Sequence, residues 1–183
     1  MNGQLDIIGQ DKAKYVLSHF ADIDNFPKPG IVFKDIMPAV ADAKAFDYLI
    51  EAFVKLMPKD IKYIVGIEAR GFIIGAPLAQ RLGIGFIPLR KAGKLPPPVK
   101  SITYSLEYGQ DTLEIQDKRI AKDDKIFVLD DVIATGGTVD AAKNLLKSIG
   151  AKIAGFGFVI ELTDFEATKL LQGYKIISLY KIL

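Results

Sequence analysis

Apolar positions along this chain follow two patterns. Short, nearly continuous apolar runs at residues 61–67, 84–89, 126–129, 152–160 and 174–180 have the β-branched-rich composition of buried strands. Between them lie stretches with apolar residues every third or fourth position, the spacing of a helix face. These are 11–23 (Ala13, Val16, Leu17, Phe20), 42–56 (Phe46, Leu49, Ile50, Phe53, Leu56), 73–82, and the stretch from Val139 through Ala142, Leu145, Leu146 and Ile149 to Gly150. A short helix is expected over 164–171, and residues 31–36 read as a further strand. Residues 101–107 and 111–116 alternate like the arms of a hairpin turning at Tyr108-Gly109-Gln110.

Strands alternating with helices predict an α/β fold with a doubly wound parallel sheet. The unit 61–67, 73–82, 84–89 is a right-handed βαβ crossover. Ligands of open α/β sheets bind at the carboxyl ends of the strands, and the runs 61–67 and 126–129 end in Glu68-Ala69-Arg70 and Asp130-Asp131. At 183 residues the chain is expected to be a single domain, 1–183. The section before residue 61, broken by Asn25-Phe26-Pro27-Lys28-Pro29-Gly30, reads as a small appendage.

Composition narrows the chemistry. A formal charge of +2 does not argue for a nucleic-acid partner. With no cysteine and one histidine, His19, expected on a helix surface, disulfides, thiolate metal sites and multi-histidine centres are excluded. No apolar run reaches the roughly 18 residues of a membrane span, and the N-terminus lacks the pattern of a signal peptide, so a cytoplasmic protein without a membrane partner is expected. The one locally basic stretch is Arg90, Lys91, Lys94 and Lys100, set among Gly93 and Pro96-Pro97-Pro98. A cationic cluster of this kind suits a pyrophosphate group.

The most informative stretch joins the run 126–129 to the helix that follows. Asp130 and Asp131 end the apolar run, and Ala134-Thr135-Gly136-Gly137-Thr138 forms a small-residue turn into the helix. Such a loop aims backbone N–H groups and the positive end of the helix dipole at one point, where a phosphate fits. Thr135 and Thr138 add hydroxyl donors. The two aspartates could accept hydrogen bonds from vicinal hydroxyls or hold a hydrated Mg²⁺. Phosphate beside a diol suggests a ribose 5-phosphate. The Gly-Lys-Ser/Thr of a Walker loop is missing.

This stretch resembles the 5-phosphoribosyl-1-pyrophosphate (PRPP) signature of type I phosphoribosyltransferases. Three others resemble the adenine-specific branch of that family: Phe26-Pro27-Lys28-Pro29-Gly30-Ile31-Val32-Phe33-Lys34-Asp35-Ile36, Glu68-Ala69-Arg70-Gly71-Phe72, and Arg90-Lys91-Ala92-Gly93-Lys94-Leu95-Pro96 leading to Tyr104-Ser105-Leu106-Glu107-Tyr108-Gly109. The resemblance implies a parallel sheet flanked by helices, an N-terminal hood within residues 1–40 and a flexible catalytic loop and hairpin over 90–116. It also implies transfer of phosphoribosyl from PRPP to adenine, giving AMP and pyrophosphate, with Mg²⁺, in a homodimer.

Carried over residue by residue, the resemblance places the 5′-phosphate on Ala134, Thr135, Gly136, Gly137 and Thr138 and the ribose hydroxyls on Asp130 and Asp131. Pyrophosphate would meet Arg70, Arg90 and Lys94. Adenine would meet Val32, Phe33, Lys34, Arg70 and Ile133, with Phe33 stacked on the ring and Ile133 packed from the other side. Many relatives have Arg where this chain has Lys34, and a planar fork is not equivalent to a point charge. Family structures suggest a cis peptide near Glu68-Ala69. As N9 of adenine attacks C1 of PRPP the N7 proton becomes acidic, and Glu107 is the expected acceptor. Two other readings share these residues. One is the same transfer to another base such as xanthine; the other is a PRPP-sensing regulator, which would require a DNA-binding module of which the front section shows no clustered Arg/Lys recognition helix.

Overall fold

The computed structural model describes residues 3–26, 28–105 and 109–182. A 3-10 turn at Leu5–Ile8 leads into α1 (Gln10–Leu17). Next, β1 (Ala21–Asp24) and β2 (Val32–Asp35) pair antiparallel as a separate two-stranded ribbon, Asp22 opposite Lys34 and Ile23 opposite Phe33. After α2 (Met37–Ala41), α3 (Ala43–Leu56) starts where the Asp42 carboxylate accepts from the Ala45 N–H at 2.8 Å. That bond satisfies one of the donors a helix start leaves open.

The main sheet is built from β3 (Tyr63–Ile67), β4 (Gly85–Lys91), β5 (Val99–Ser105), β6 (Gln110–Gln116), β7 (Lys125–Ile133), β8 (Lys152–Leu162) and β9 (Lys175–Ile182), in the order β5-β6-β4-β3-β7-β8-β9. The run β4-β3-β7-β8-β9 is parallel. β5 and β6 form a hairpin added antiparallel to β4 at one edge. Helix α4 (Arg70–Leu82) joins β3 to β4, and α5 (Gly137–Ser148) joins β7 to β8.

The period-two alternation of the central strands sends their side chains into two cores. Ile64, Phe127 and Leu129 pack with Leu49, Ile50 and Phe53 of α3 and with Ile74 and Leu78 of α4. On the opposite face Val65, Ile67, Ile126 and Val128 pack with Val139, Ala142, Leu145 and Leu146 of α5 and with Leu113 and Ile115 of β6. Each such side chain contributes about 1.5–3 kcal/mol on burial, so both faces of β3 and β7 hold the middle of the sheet rigid. The site stands on the carboxyl ends of these two strands.

Several expected boundaries shift. The helix expected over 11–23 stops at Leu17; Ala21 to Asp24 instead form β1, because pairing with β2 satisfies their backbone groups. His19 lies in the turn just beyond α1, its Nδ1 2.8 Å from the Tyr15 carbonyl oxygen. The aspartate pair does not end β7. The ladder to β8 continues through Val132 opposite Ile160 and Ile133 opposite Glu161, since carboxylate side chains leave backbone pairing intact. Helix α4 begins at Arg70, three residues earlier than its apolar stripe suggests, and the helix expected over 164–171 is two 3-10 turns, Thr163–Phe165 and Ala167–Leu171.

Candidate active site

The parallel pairing of β3 with β7 sets the end of Ile67 beside the end of Leu129, so Glu68-Ala69-Arg70 and Asp130-Asp131 emerge side by side. Close approach depends on Gly71: a Cβ there would stand 2.6 Å from the Leu129 carbonyl oxygen and 3.3 Å from Asp130 Oδ1. The Glu68–Ala69 peptide is cis. Together these residues open onto a cavity of about 280 Å³ lined also by Lys91, Tyr104, Asp111, Leu113, Val132 and Thr138.

Arg70 Nε lies 2.8 Å from Asp131 Oδ2, an ion pair in which the N–H is not aimed squarely enough at that oxygen to form a hydrogen bond. The Asp131 N–H donates to Asp130 Oδ1 at 2.9 Å. Burial raises the pKa of Asp130 well above the usual carboxylate range, and the neighbouring Asp131 charge adds to the rise. Burial raises Asp131 as well and outweighs the opposing pull of Arg70. Two carboxyl groups driven toward their neutral forms are suited to partners that restore favourable contacts, namely hydroxyl donors or a cation.

A second cavity of about 140 Å³ adjoins the first through Asp130, Val132 and Thr138 and is lined by Ile133, Ala134, Thr135, Gly136, Gly137 and Val139. Gly136 takes the left-handed conformation, φ 84°, and a Cβ there would meet Leu170 Cδ1 at 2.8 Å and Ala167 Cβ at 2.9 Å. No side chain caps the start of α5, so its first N–H groups face the cavity as donors for an anion. The hairpin end reaches this loop: the Tyr104 hydroxyl is 3.4 Å from Thr138 Oγ1.

The basic stretch divides. Arg90 Nη2 donates to Glu68 Oε1 at 2.7 Å, Arg90 Nη1 donates to the Lys94 carbonyl at 3.2 Å, and the Lys91 N–H donates to Glu68 Oε2 at 2.7 Å. These contacts, Arg90 first, hold the Glu68 carboxyl below its ordinary pKa against the effect of burial. Arg90 and the exposed Lys94 are therefore beside the 280 Å³ cavity but not among the residues that line it, whereas Lys91 is.

Of the residues expected around a base, Phe33 is 5.0 Å from the Arg70 guanidinium and edge-to-face with Phe26 at 5.2 Å, which places the ribbon over the site. Val32 is exposed. Lys34, on the opposite face of β2 from Phe33, is turned to Asp22 at 2.6 Å and lines a different cavity with Leu17, Phe20, Ile160 and Tyr180. Its side chain therefore does not reach the cavity of Arg70. Ile133 is buried in the core on the α5 side; Val132, one residue earlier and half-exposed, lines both cavities. Glu107 lies outside the described residues, between Ser105 and Gly109.

Lys91, read in the sequence only as part of the basic cluster, lines the site together with Tyr104 and Asp111, to which the sequence pattern assigns no role there. The signal available is the register of the hairpin, which sets Tyr104 opposite Asp111. Among the described residues no cluster of three or more His, Cys, Asp or Glu could hold a metal, and no helix is long and apolar enough to cross a membrane.

Residues 43–175 match the phosphoribosyl transferase domain family. The chain is 44% identical over 178 residues to an adenine phosphoribosyltransferase of Bifidobacterium animalis subsp. lactis, covering 96% of this chain and 92% of that protein. Its fold matches the crystal structure of adenine phosphoribosyltransferase from Thermoanaerobacter pseudethanolicus with a TM-score of 0.89 and 46% identity, over 93% of this chain and 99% of that one. A Saccharomyces cerevisiae adenine phosphoribosyltransferase, solved with adenine and an imino-altritol bisphosphate, matches with a TM-score of 0.87 and 37% identity, over 92% and 98%.

Proposed function

The chain belongs to the adenine phosphoribosyltransferases, and on that premise we propose that it transfers the 5-phosphoribosyl group of PRPP to N9 of adenine, giving AMP and pyrophosphate in purine salvage. The observation that carries this reading is the pairing of an uncapped α5 start, shaped by Gly136, with the half-buried Asp130 and buried Asp131 in adjoining cavities.

The 5′-phosphate accepts from the N–H groups and hydroxyls of Ala134, Thr135, Gly136, Gly137 and Thr138. Asp130 and Asp131 accept from the ribose hydroxyls. Arg70, held between Asp131 and Phe33, faces both pyrophosphate and base, and Arg90 and Lys94 add positive charge where pyrophosphate departs. Adenine stacks on Phe33, with Val32 and Lys34 contributing backbone groups and Ile133 closing the site from below. Glu107 takes the N7 proton.

Asp130 and Asp131 would hold a hydrated Mg²⁺ through its water, and the ion would supply neutralisation of pyrophosphate charge. The active form is a homodimer of a cytoplasmic enzyme. The test is pyrophosphate release from PRPP and Mg²⁺ with adenine, hypoxanthine, guanine, xanthine and orotate in parallel. Release with adenine far above the rest is expected; preference for another base would overturn the assignment.

A further inference from the structure

The cavity contains a cation whose partner has no part in the transfer. Lys91 Nζ is 2.9 Å from Asp111 Oδ2, with the lysine side chain 58% exposed and the aspartate 20%. Both line the 280 Å³ cavity together with Arg70, Asp130 and Asp131. Asp111 is the better anchored of the two. It stands opposite Tyr104 in the β5–β6 hairpin and accepts the N–H of Thr112 at 2.8 Å. Lys91 carries its charge on a flexible stem at the end of β4, where only its backbone is pinned, by Glu68. An ion pair this open to water is weak, so a polyanion entering the cavity can draw the ammonium away from Asp111.

We propose that Asp111 is a positioning residue that holds Lys91 aside in the ligand-free cavity and competes with pyrophosphate for its charge, so that pyrophosphate is bound more loosely than the cations of the cavity would otherwise allow. This rests on the reading that the pyrophosphate of PRPP occupies this cavity. The carboxylate opposes only the anionic ligand, and loose retention of pyrophosphate favours its departure after transfer.

Calorimetric titration of Mg²⁺-pyrophosphate into the full chain tests the proposal. Asp111→Asn preserves the acceptor for the Thr112 N–H but removes the charge, and should tighten pyrophosphate binding roughly threefold to tenfold. Adenine binding should stay as in the wild type, and Asp111→Glu should keep the looser, wild-type-like affinity. In a Lys91→Gln background the gain from Asp111→Asn should vanish, since no lysine remains to be released. An Asp111→Asn protein with unchanged or weaker pyrophosphate affinity overturns the proposal. So does a gain that persists without Lys91, which would mean direct repulsion alone. If the wild type bound no pyrophosphate, the functional reading would fall together with this one.

Discussion

Arg70 and Asp131 meet at 2.8 Å, joining the first turn of α4 to the end of β7, two elements that touch the site from different strands. Asp131 is 4% exposed, so its carboxylate depends on that guanidinium. Arg70→Gln should therefore cost about 1–3 kcal/mol of stability, the range for a buried polar group left without its partner, and should raise the pH at which Asp131 gains a proton. Denaturant unfolding measures the first effect; carboxyl chemical shifts followed through a pH titration measure the second. An unchanged midpoint together with an unchanged titration would show that the pair contributes nothing.

The neighbouring Asp130 leads to a prediction of opposite sign. Its pKa is raised by burial and by Asp131, so between the unfolded value near 4 and the raised native value the folded state binds more protons than the unfolded one. Stability then falls as pH rises through that window, and the cost of the buried charge is fully present above the native pKa. Asp130→Asn should accordingly raise the Tm at pH 7 to 8, and the advantage should disappear as pH falls toward 4. Phosphoribosyl transfer should be lost in the same variant. Thermal unfolding across pH checks the trend, which an equal Tm difference at every pH would contradict.

Adjacent glycines in the loop proposed to bind phosphate should fail in different ways. A Cβ on Gly137 meets nothing closer than the Ser105 carbonyl oxygen at 3.8 Å, so Gly137→Val should fold normally yet obstruct the approach of phosphate to the α5 N–H groups, abolishing PRPP binding in a calorimetric titration. Gly136→Ala forces a side chain into left-handed backbone, costing about 1–2 kcal/mol, and into contact with Leu170 and Ala167. Its Tm should drop where that of Gly137→Val does not. A folded Gly137→Val protein with wild-type PRPP affinity would place the phosphate elsewhere.

The loop from Ala134 to Thr138 and the aspartates before it are legible in the sequence because strand, turn and helix are contiguous there, and local composition specifies all three. Strand β1 is not, because Phe20 continues the α1 stripe and only pairing with β2 reveals the break after Leu17. The continuation of β7 beyond the aspartates is hidden for a related reason. With the strand taken to end at Leu129, nothing in the pattern shows that β7 runs on through Val132 to Ile133, or that Ile133 turns to the α5 side. The Lys91–Asp111 contact is tertiary, made by the docking of β6 on β4, and neither residue's neighbours in sequence announce it.

Glu107 is the only residue proposed for proton transfer, and in sequence it follows closely on a strand whose Tyr104 hydroxyl lies 3.4 Å from Thr138 Oγ1. Glu107→Gln keeps the shape of the side chain but cannot accept the N7 proton as a carboxylate does. The chemical step should slow by roughly 10²–10⁴-fold, the usual range for a general base, with adenine and PRPP binding little changed. Where chemistry limits the wild type, its rate should fall at acid pH as the carboxylate is protonated, and that limb should be missing from the variant. Steady-state turnover alone would not decide the matter, since slow product release hides a chemical defect. The measurement is single-turnover AMP formation. A near-normal single-turnover rate in Glu107→Gln would pass the proton to solvent or another group, and would leave Glu107 without a catalytic role.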